Sequence, residues 1–316
     1  MLKGKFLATL LFASITAMTF VACDNDDDNP INPNADKTVA QIAADDGQFT
    51  MLVAALDRVG LTSTLDDENA SFTVFAPTDA AFTALGVDLS TLSDAQLTEI
   101  LLYHVLGAQV ESKDLPEGKT YATSATATGP GGTQLSILIE KTTAGTVSVN
   151  GAANVTTADV IGKNGVIHVI DAVLLPLDVV GHATANDDFS QLVSALGGAS
   201  GDLVTALSAD GPFTVFAPLN SAFEAIASTV AGLTADQLAT VLTYHVVTNA
   251  NVRSSTLTDG MQVTTLNGES FTVNISGSVV TITDAKGNTA DVLLTDVQAT
   301  NGVIHVLGDV LLPENI

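Results

Sequence analysis

Phe72-Thr-Val-Phe-Ala-Pro-Thr-Asp-Ala-Ala-Phe82 is the stretch on which the fold turns. Phe-Thr-Val-Phe alternates bulky and β-branched side chains, as a buried strand requires. Pro77 has no N–H and cannot continue a central ladder. Thr78 or Asp79 then offers a side-chain oxygen to the free N–H groups of a new helix, whose apolar face begins at Phe82. The same device returns as Phe213-Thr-Val-Phe-Ala-Pro-Leu-Asn-Ser-Ala-Phe223, where Asn220 or Ser221 takes the capping position. Asn220 is expected to cap as well as Asp79 does, without its charge.

Two further landmarks follow each copy. Leu-Leu-Tyr103-His104-Val recurs as Leu-Thr-Tyr244-His245-Val, and Asn164-Gly-Val-Ile-His168-Val with Leu174-Leu-Pro176 recurs as Asn301-Gly-Val-Ile-His305-Val with Leu311-Leu-Pro313. The offset is 141 residues from Phe72 to Phe213 and from Tyr103 to Tyr244, and 137 from Asn164 to Asn301. A whole domain has therefore been duplicated, on a period far longer than the ~20–50 residues of solenoid repeats. The small-residue loop Ser124 to Gly132 accounts for the difference in length.

This ordered, duplicated set of motifs resembles the fasciclin (FAS1) domain family, over nearly everything from about residue 36 onward. The resemblance implies an α+β fold: two tandem fasciclin-like domains, each a β-sandwich-like wedge with helices packed along an edge. It implies adhesion rather than a reaction. In animal members integrin binding is assigned to the Tyr-His region and to an Asp-Ile motif before Asn-Gly-Val-Ile-His. Carried over, these are Tyr103, His104, Tyr244 and His245, and Asp159-Val160 and Asp296-Val297, with Val where the animal motif has Ile. The alternative for the same residues is structural: Tyr-His packs a helix end onto the sheet, with His as the obvious partner for the Tyr hydroxyl, and the Asp caps a loop.

The domain plan is residues 1–22 an export signal, 23–36 a tether, 37–177 the first domain and 178–316 the second. Lys3 and Lys5 precede a mostly apolar run from Phe6 to Phe20, and Phe20-Val-Ala-Cys23 resembles a bacterial lipoprotein ending in which Cys23 carries the lipid. The run is short for a spanning helix. Asp24-Asn-Asp-Asp-Asp28 and two prolines form a solvated, extended tether. It lacks the Gly and Glu of a calcium loop, having Asn29 and Ala35 at those positions. The localisation expected is an exported outer-membrane lipoprotein, either surface-exposed or facing the periplasm. The formal charge is −25, and removing Lys3 and Lys5 with the signal would make it −27. Such a surface repels nucleic acid and anionic membranes, so the only membrane contact expected is through the lipid.

Local signals place the remaining elements. Thr38 opens a short helix, Phe49 to Val59 keeps helical spacing before Gly60, and Leu61 to Leu65 is a further turn. Ser93-Asp-Ala-Gln96 and Thr234-Ala-Asp-Gln237 are capping boxes. Gln134 to Glu140 with Thr146 to Asn150, and Ser270 to Ser276 with Val279 to Thr283, are hairpins. Asn154, Asp159 and Val166 begin three short strands. The join between the units, Leu174 to about Gly181, is too short for a flexible linker, so a stiff tandem is expected.

No catalytic motif is present, and no metal or cofactor is implied. His104, His168, His245 and His305 are expected to be partly buried with satisfied ring nitrogens, and His182 to be an isolated linker residue. The function expected is a non-catalytic, lipid-anchored adhesion module recognising extracellular protein or polysaccharide. The alternatives are a spacer or envelope-organising lipoprotein without its own ligand and, more remotely, a hydrolase or metalloenzyme. An exposed apolar patch common to both copies would favour binding, and uniformly polar faces the spacer.

Overall fold

The computed structural model describes residues 32–316. The expected signal, Cys23 and most of the tether lie outside the described residues. Pro33–Ile316 is one compact unit built from two like domains.

The first domain begins with helices. The Thr38 side chain accepts from Gln41 N–H and completes a capping box at α1 (Val39–Asp45). Helix α2 (Thr50–Val59) stops at Gly60, whose φ of 74° is open to glycine at little cost. Then come α3 (Thr62–Leu65), β1 (Phe72–Pro77), α4 (Asp79–Leu85), α5 (Asp94–Tyr103) and the short β2 (Val105–Leu106). The remainder is β3 (Gly118–Thr123), β4 (Ser136–Lys141), β5 (Val147–Val149), β6 (Ala153–Gly162) and β7 (Gly165–Ile170). The second domain repeats this order as α6 (Val179–Ala185), α7 (Ser190–Gly198), α8 (Leu203–Leu207), β8 (Phe213–Pro218), α9 (Asn220–Ala225), α10 (Ala227–Gly232), α11 (Ala235–Tyr244) and β9 (Val246–Thr248). It ends with β10 (Gln262–Thr264), β11 (Ser270–Ser276), β12 (Val279–Thr283), β13 (Thr289–Ala299) and β14 (Gly302–Leu307).

Each domain has one seven-stranded sheet, ordered β2-β1-β7-β6-β5-β4-β3 and, from the other edge, β10-β11-β12-β13-β14-β8-β9. The signature strand is central and parallel to the last strand, with Phe72 opposite Gly165 and Phe213 opposite Gly302. Every other pairing is antiparallel. The sheet curls until its edges meet: Leu106 bridges Ser124 just beyond β3, and Leu266 N–H donates to Val246 C=O in the second copy. The wedge is thus a single sheet folded over on itself.

The curl divides the apolar side chains of each domain between two cores. Val74 and Ala76 of β1 pack against the helices with Phe49, Leu52, Leu97 and Leu101. Phe75, between them, faces the inside of the curl with Tyr103, Ile137, Ile139 and Val149. Strand alternation alone sends neighbours to opposite sides. The second domain repeats both layers around Ala217 and Phe216.

Three expectations are corrected. The strands expected from Asn154 and Asp159 are one strand, β6, interrupted by register shifts on either side of Thr157. Thr78 does cap α4, but Asp79 and Asn220 do not cap the helices they begin. Asp79 Oδ1 accepts from Met51 N–H at 2.8 Å and Asn220 Oδ1 from Gln191 N–H at 2.9 Å, so each caps the first turn of a neighbouring helix, α2 or α7. His182 is no linker residue: it lies in α6, fully buried.

The two domains pack directly. Thr300 N–H donates to Leu177 C=O at 2.9 Å, and Gln298 N–H donates to Ser136 Oγ at 2.9 Å. Lys119 pairs with Asp187 and Asp188, and Tyr121 packs against the helical core of the second domain. The short join and these contacts agree with the stiff tandem.

Candidate binding site

The signature residues occupy the interior. Tyr103 and Tyr244 are completely buried, and His104 and His245 are each 2% exposed. Tyr103 Oη donates to Ser136 C=O at 2.9 Å and accepts from Asn150 Nδ2 at 3.0 Å. Tyr244 Oη likewise donates to Ser270 C=O, at 3.1 Å, and accepts from Ala285 N–H. The hydroxyl partner is thus a strand carbonyl rather than the adjacent His, because helix geometry sends consecutive side chains in different directions.

His104 ends α5. Its Nδ1–H donates to Ile100 C=O at 2.7 Å, and its Nε2 accepts from Leu174 N–H at 2.8 Å. His245 repeats both bonds with Val241 and Leu311. This sets the tautomer and links two landmarks: the histidine of Tyr-His holds the backbone of Leu-Leu-Pro. Burial pushes both rings down to about 4, so they are neutral at neutral pH.

Asp159 and Asp296 are half-buried and left-handed, with φ of 59° and 63°, where the long strands β6 and β13 bulge. Asp tolerates this region better than most residues. Each carboxylate is held by one serine. Ser112 N–H donates to Asp159 Oδ1 at 2.7 Å and its hydroxyl to Oδ2, and Ser254 binds Asp296 in the same way. Burial raises the Asp159 carboxyl, but the Ser112 bonds and nearby His168 and Lys113 outweigh it, and the group sits below its ordinary value. Behind the bulge, Asp159 N–H donates to His168 Nδ1 at 3.3 Å, and His168 Nε2–H donates to Val110 C=O at 2.9 Å. His305 makes the equivalent bonds to Asp296 and Val252, and burial lowers its pKa.

The Asn-Gly landmark also acts inside the domain. Asn164 Oδ1 accepts from Val39 N–H at 2.8 Å, and its Nδ2 donates to Leu65 and Asp67 C=O. Asn301 joins Val179, Leu207 and Ala209. A Cβ on Gly165 or Gly302 would collide with the carbonyl oxygen of Phe72 or Phe213, so the parallel pairing needs glycine there.

The serines, and the threefold grip of each Asn, were not expected from sequence. The pairing Ser112/Ser254 across the repeat was the available signal. Among the described residues no three His, Cys, Asp or Glu gather as a metal site would need. No helix among them is long and apolar enough to cross a membrane. Of the exposed large apolar residues, Val87 and Leu175 lie in the first domain or its end, and Val204, Leu266, Val279, Leu293 and Leu294 in the second. The patch expected of two alike adhesive faces is therefore not common to both copies.

A pair of α+β domains, each a curled seven-stranded sheet with the same buried Tyr-His, Asp and Asn-Gly devices, defines the class. The fasciclin domain model matches residues 47–176 and 187–313, and the chain belongs to the fasciclin family. Protein sll1483 of Synechocystis sp. is 45% identical over 146 residues, covering 43% of this chain and 74% of the relative. Human periostin is 30% identical over 254 residues, covering 78% of this chain but only 29% of periostin. The solved FAS1 domain pair of the insect cell adhesion molecule Fasciclin I superposes with a TM-score of 0.52 at 20% identity, covering 85% of this chain and 98% of that one. Fasciclin domains thus occur in cell-adhesion proteins, which fits a binding module.

Proposed function

We propose that this chain is a non-catalytic binding module of the cell envelope, exported and lipid-anchored through Cys23, that recognises an extracellular protein or polysaccharide. The observation that carries this is the use made of the family motifs. Tyr103, His104, Tyr244 and His245 spend their polar atoms inside the domains, which leaves no reacting group among them and makes the motifs a frame for other surfaces. Asp159 and Asp296 are the candidate contact residues that reach solvent, and their carboxylates are shared with Ser112 and Ser254. Any effect of the Tyr-His pair on binding is indirect, through the fold. The one-sided distribution of exposed apolar residues favours recognition by the second domain or by the pair together.

The test is an array of matrix proteins and envelope polysaccharides probed with soluble chain 24–316. Asp159→Asn and Asp296→Asn keep a residue suited to the left-handed backbone while removing the charge. Saturable binding is expected. Its loss in the double variant assigns contact to the carboxylates, and its retention points to another face. A folded chain that binds nothing would favour the spacer instead. Membrane association that survives Cys23→Ser would refute the anchor.

A further inference from the structure

The two copies differ where they meet. Between β3 and β4 the first domain runs a long loop, residues 124–135, whereas the second has only 265–269 between β10 and β11. That loop faces Arg253, which precedes the serine that holds Asp296. At the equivalent position, before Ser112, the first domain has Glu111. The third difference is Gln298, which replaces Ile161 and is 4% exposed. Its amide bonds Gly302 C=O at 2.6 Å and Asn251, while its backbone bonds Ser136 of the first domain. Together these features build a polar cleft of about 510 Å³ between the domains.

Arg253 is singular in charge as well as place. Lys37, Arg58, Lys113, Lys119 and Lys163 are in ion pairs, and Lys141 and Lys286 donate to backbone carbonyls. Among the described lysines and arginines the Arg253 guanidinium alone makes no ion pair or hydrogen bond. One acid, Asp296, shares the cleft, but Ser254 already donates two bonds to its carboxylate. The rest of the lining is hydroxyl, amide and glycine, including Thr123, Thr133 and Gln134, with no large apolar side chain.

The structure points to a saccharide site, and we propose that this interdomain cleft binds a carboxylated sugar residue of an acidic polysaccharide. The guanidinium would take the carboxylate in a two-pronged contact, and the threonines and Gln134 would meet the ring hydroxyls, with Gln298 holding the floor of the cleft. A protein partner would need a buried apolar or aromatic anchor, which this lining does not supply. The volume lies within the ~300–1,000 Å³ of ligand pockets. The chain's overall negative charge is screened beyond about 8 Å at physiological salt, so the local cation governs a short-range contact. This inference rests on the binding-module reading.

The test is calorimetric titration of chain 24–316 with tri-galacturonate and with its neutral methyl ester. Saturable binding of the acid is expected, at least tenfold tighter than the ester. Arg253→Gln should weaken the acid tenfold or more with an unchanged melting temperature, and Thr133→Val should weaken acid and ester alike. Equal binding of acid and ester, full affinity in Arg253→Gln, or no binding of the acid would each overturn the proposal, as would binding of a poly-glutamate peptide in place of the sugar. Failure here, alongside saturable binding on the array, would remove the cleft and leave the binding module standing.

Discussion

At the scale of residues, each motif position has a bonding reason. Asn164 satisfies one amide and two carbonyls from two separate segments, the start of α1 and the end of α3 with the turn that follows it. Asn164→Ala should therefore cost roughly 3 kcal/mol or more in urea unfolding, since stranded buried groups cost about 1–3 kcal/mol each. Tyr103→Phe strands Ser136 C=O and Asn150 Nδ2, and about 1–2 kcal/mol is expected. His182 is the exception to this economy. It is completely buried, 5.9 Å from the Tyr121 ring, and neither of its nitrogens makes a hydrogen bond of normal geometry, the Gln298 backbone offering only a weak polar contact; the repeat places Ile42 at its counterpart. His182→Ile should raise stability by about 1 kcal/mol at neutral pH. Burial holds His104, His182 and His245 near 4 in the folded chain, against an ordinary 6.5. The unfolded chain then binds protons that the folded chain does not. Stability should be full above about pH 6.5 and fall progressively towards pH 4, by up to about 3 kcal/mol per histidine. Melting curves across that range check this, and His182→Ile should flatten the slope.

At the scale of elements, what was legible in the sequence was what local chemistry determines. The capping boxes at Ser93 and Thr234, the Gly60 cap and the turn at Gly277-Ser278 depend on residues a few positions apart, and all are found. What escaped depends on partners far along the chain. Gly118-Lys-Thr-Tyr-Ala-Thr123 has no apolar alternation, yet it is a strand because β4 lies beside it. Asp79 looks like the cap of its own helix until Thr50 and Met51 are seen packed against it. The candidate site was least legible: the Tyr-His and Asp motifs could be placed, but their burial and the cleft around Arg253 required both domains in contact. The crossed caps make a prediction of their own. Asp79→Asn should be nearly neutral, because Asn220 performs the same task, whereas Asp79→Ala should cost about 1 kcal/mol by leaving α2 uncapped. Chemical denaturation of the two variants separates them.

At the scale of the whole molecule, the pair should behave as one body. Small-angle scattering of chain 24–316 should fit a single separation of the domains, and a freely varying one would contradict the packing of Lys119, Tyr121 and Ser136 against the second domain. Tyr121→Ala should broaden that distribution. The parallel pairing of β1 with β7, and of β8 with β14, carries a consequence for assembly. The strand at the heart of each sheet is among the first synthesised, and the neighbour it needs is the last, 93 residues later by Phe72 to Gly165 and 89 by Phe213 to Gly302. Such distant closure makes folding slow and leaves no stable half-domain along the way. A ribosome or a translocation channel would therefore handle each domain as open chain until its final hairpin emerges. Clipping that hairpin from the second domain should melt all of it while the first survives.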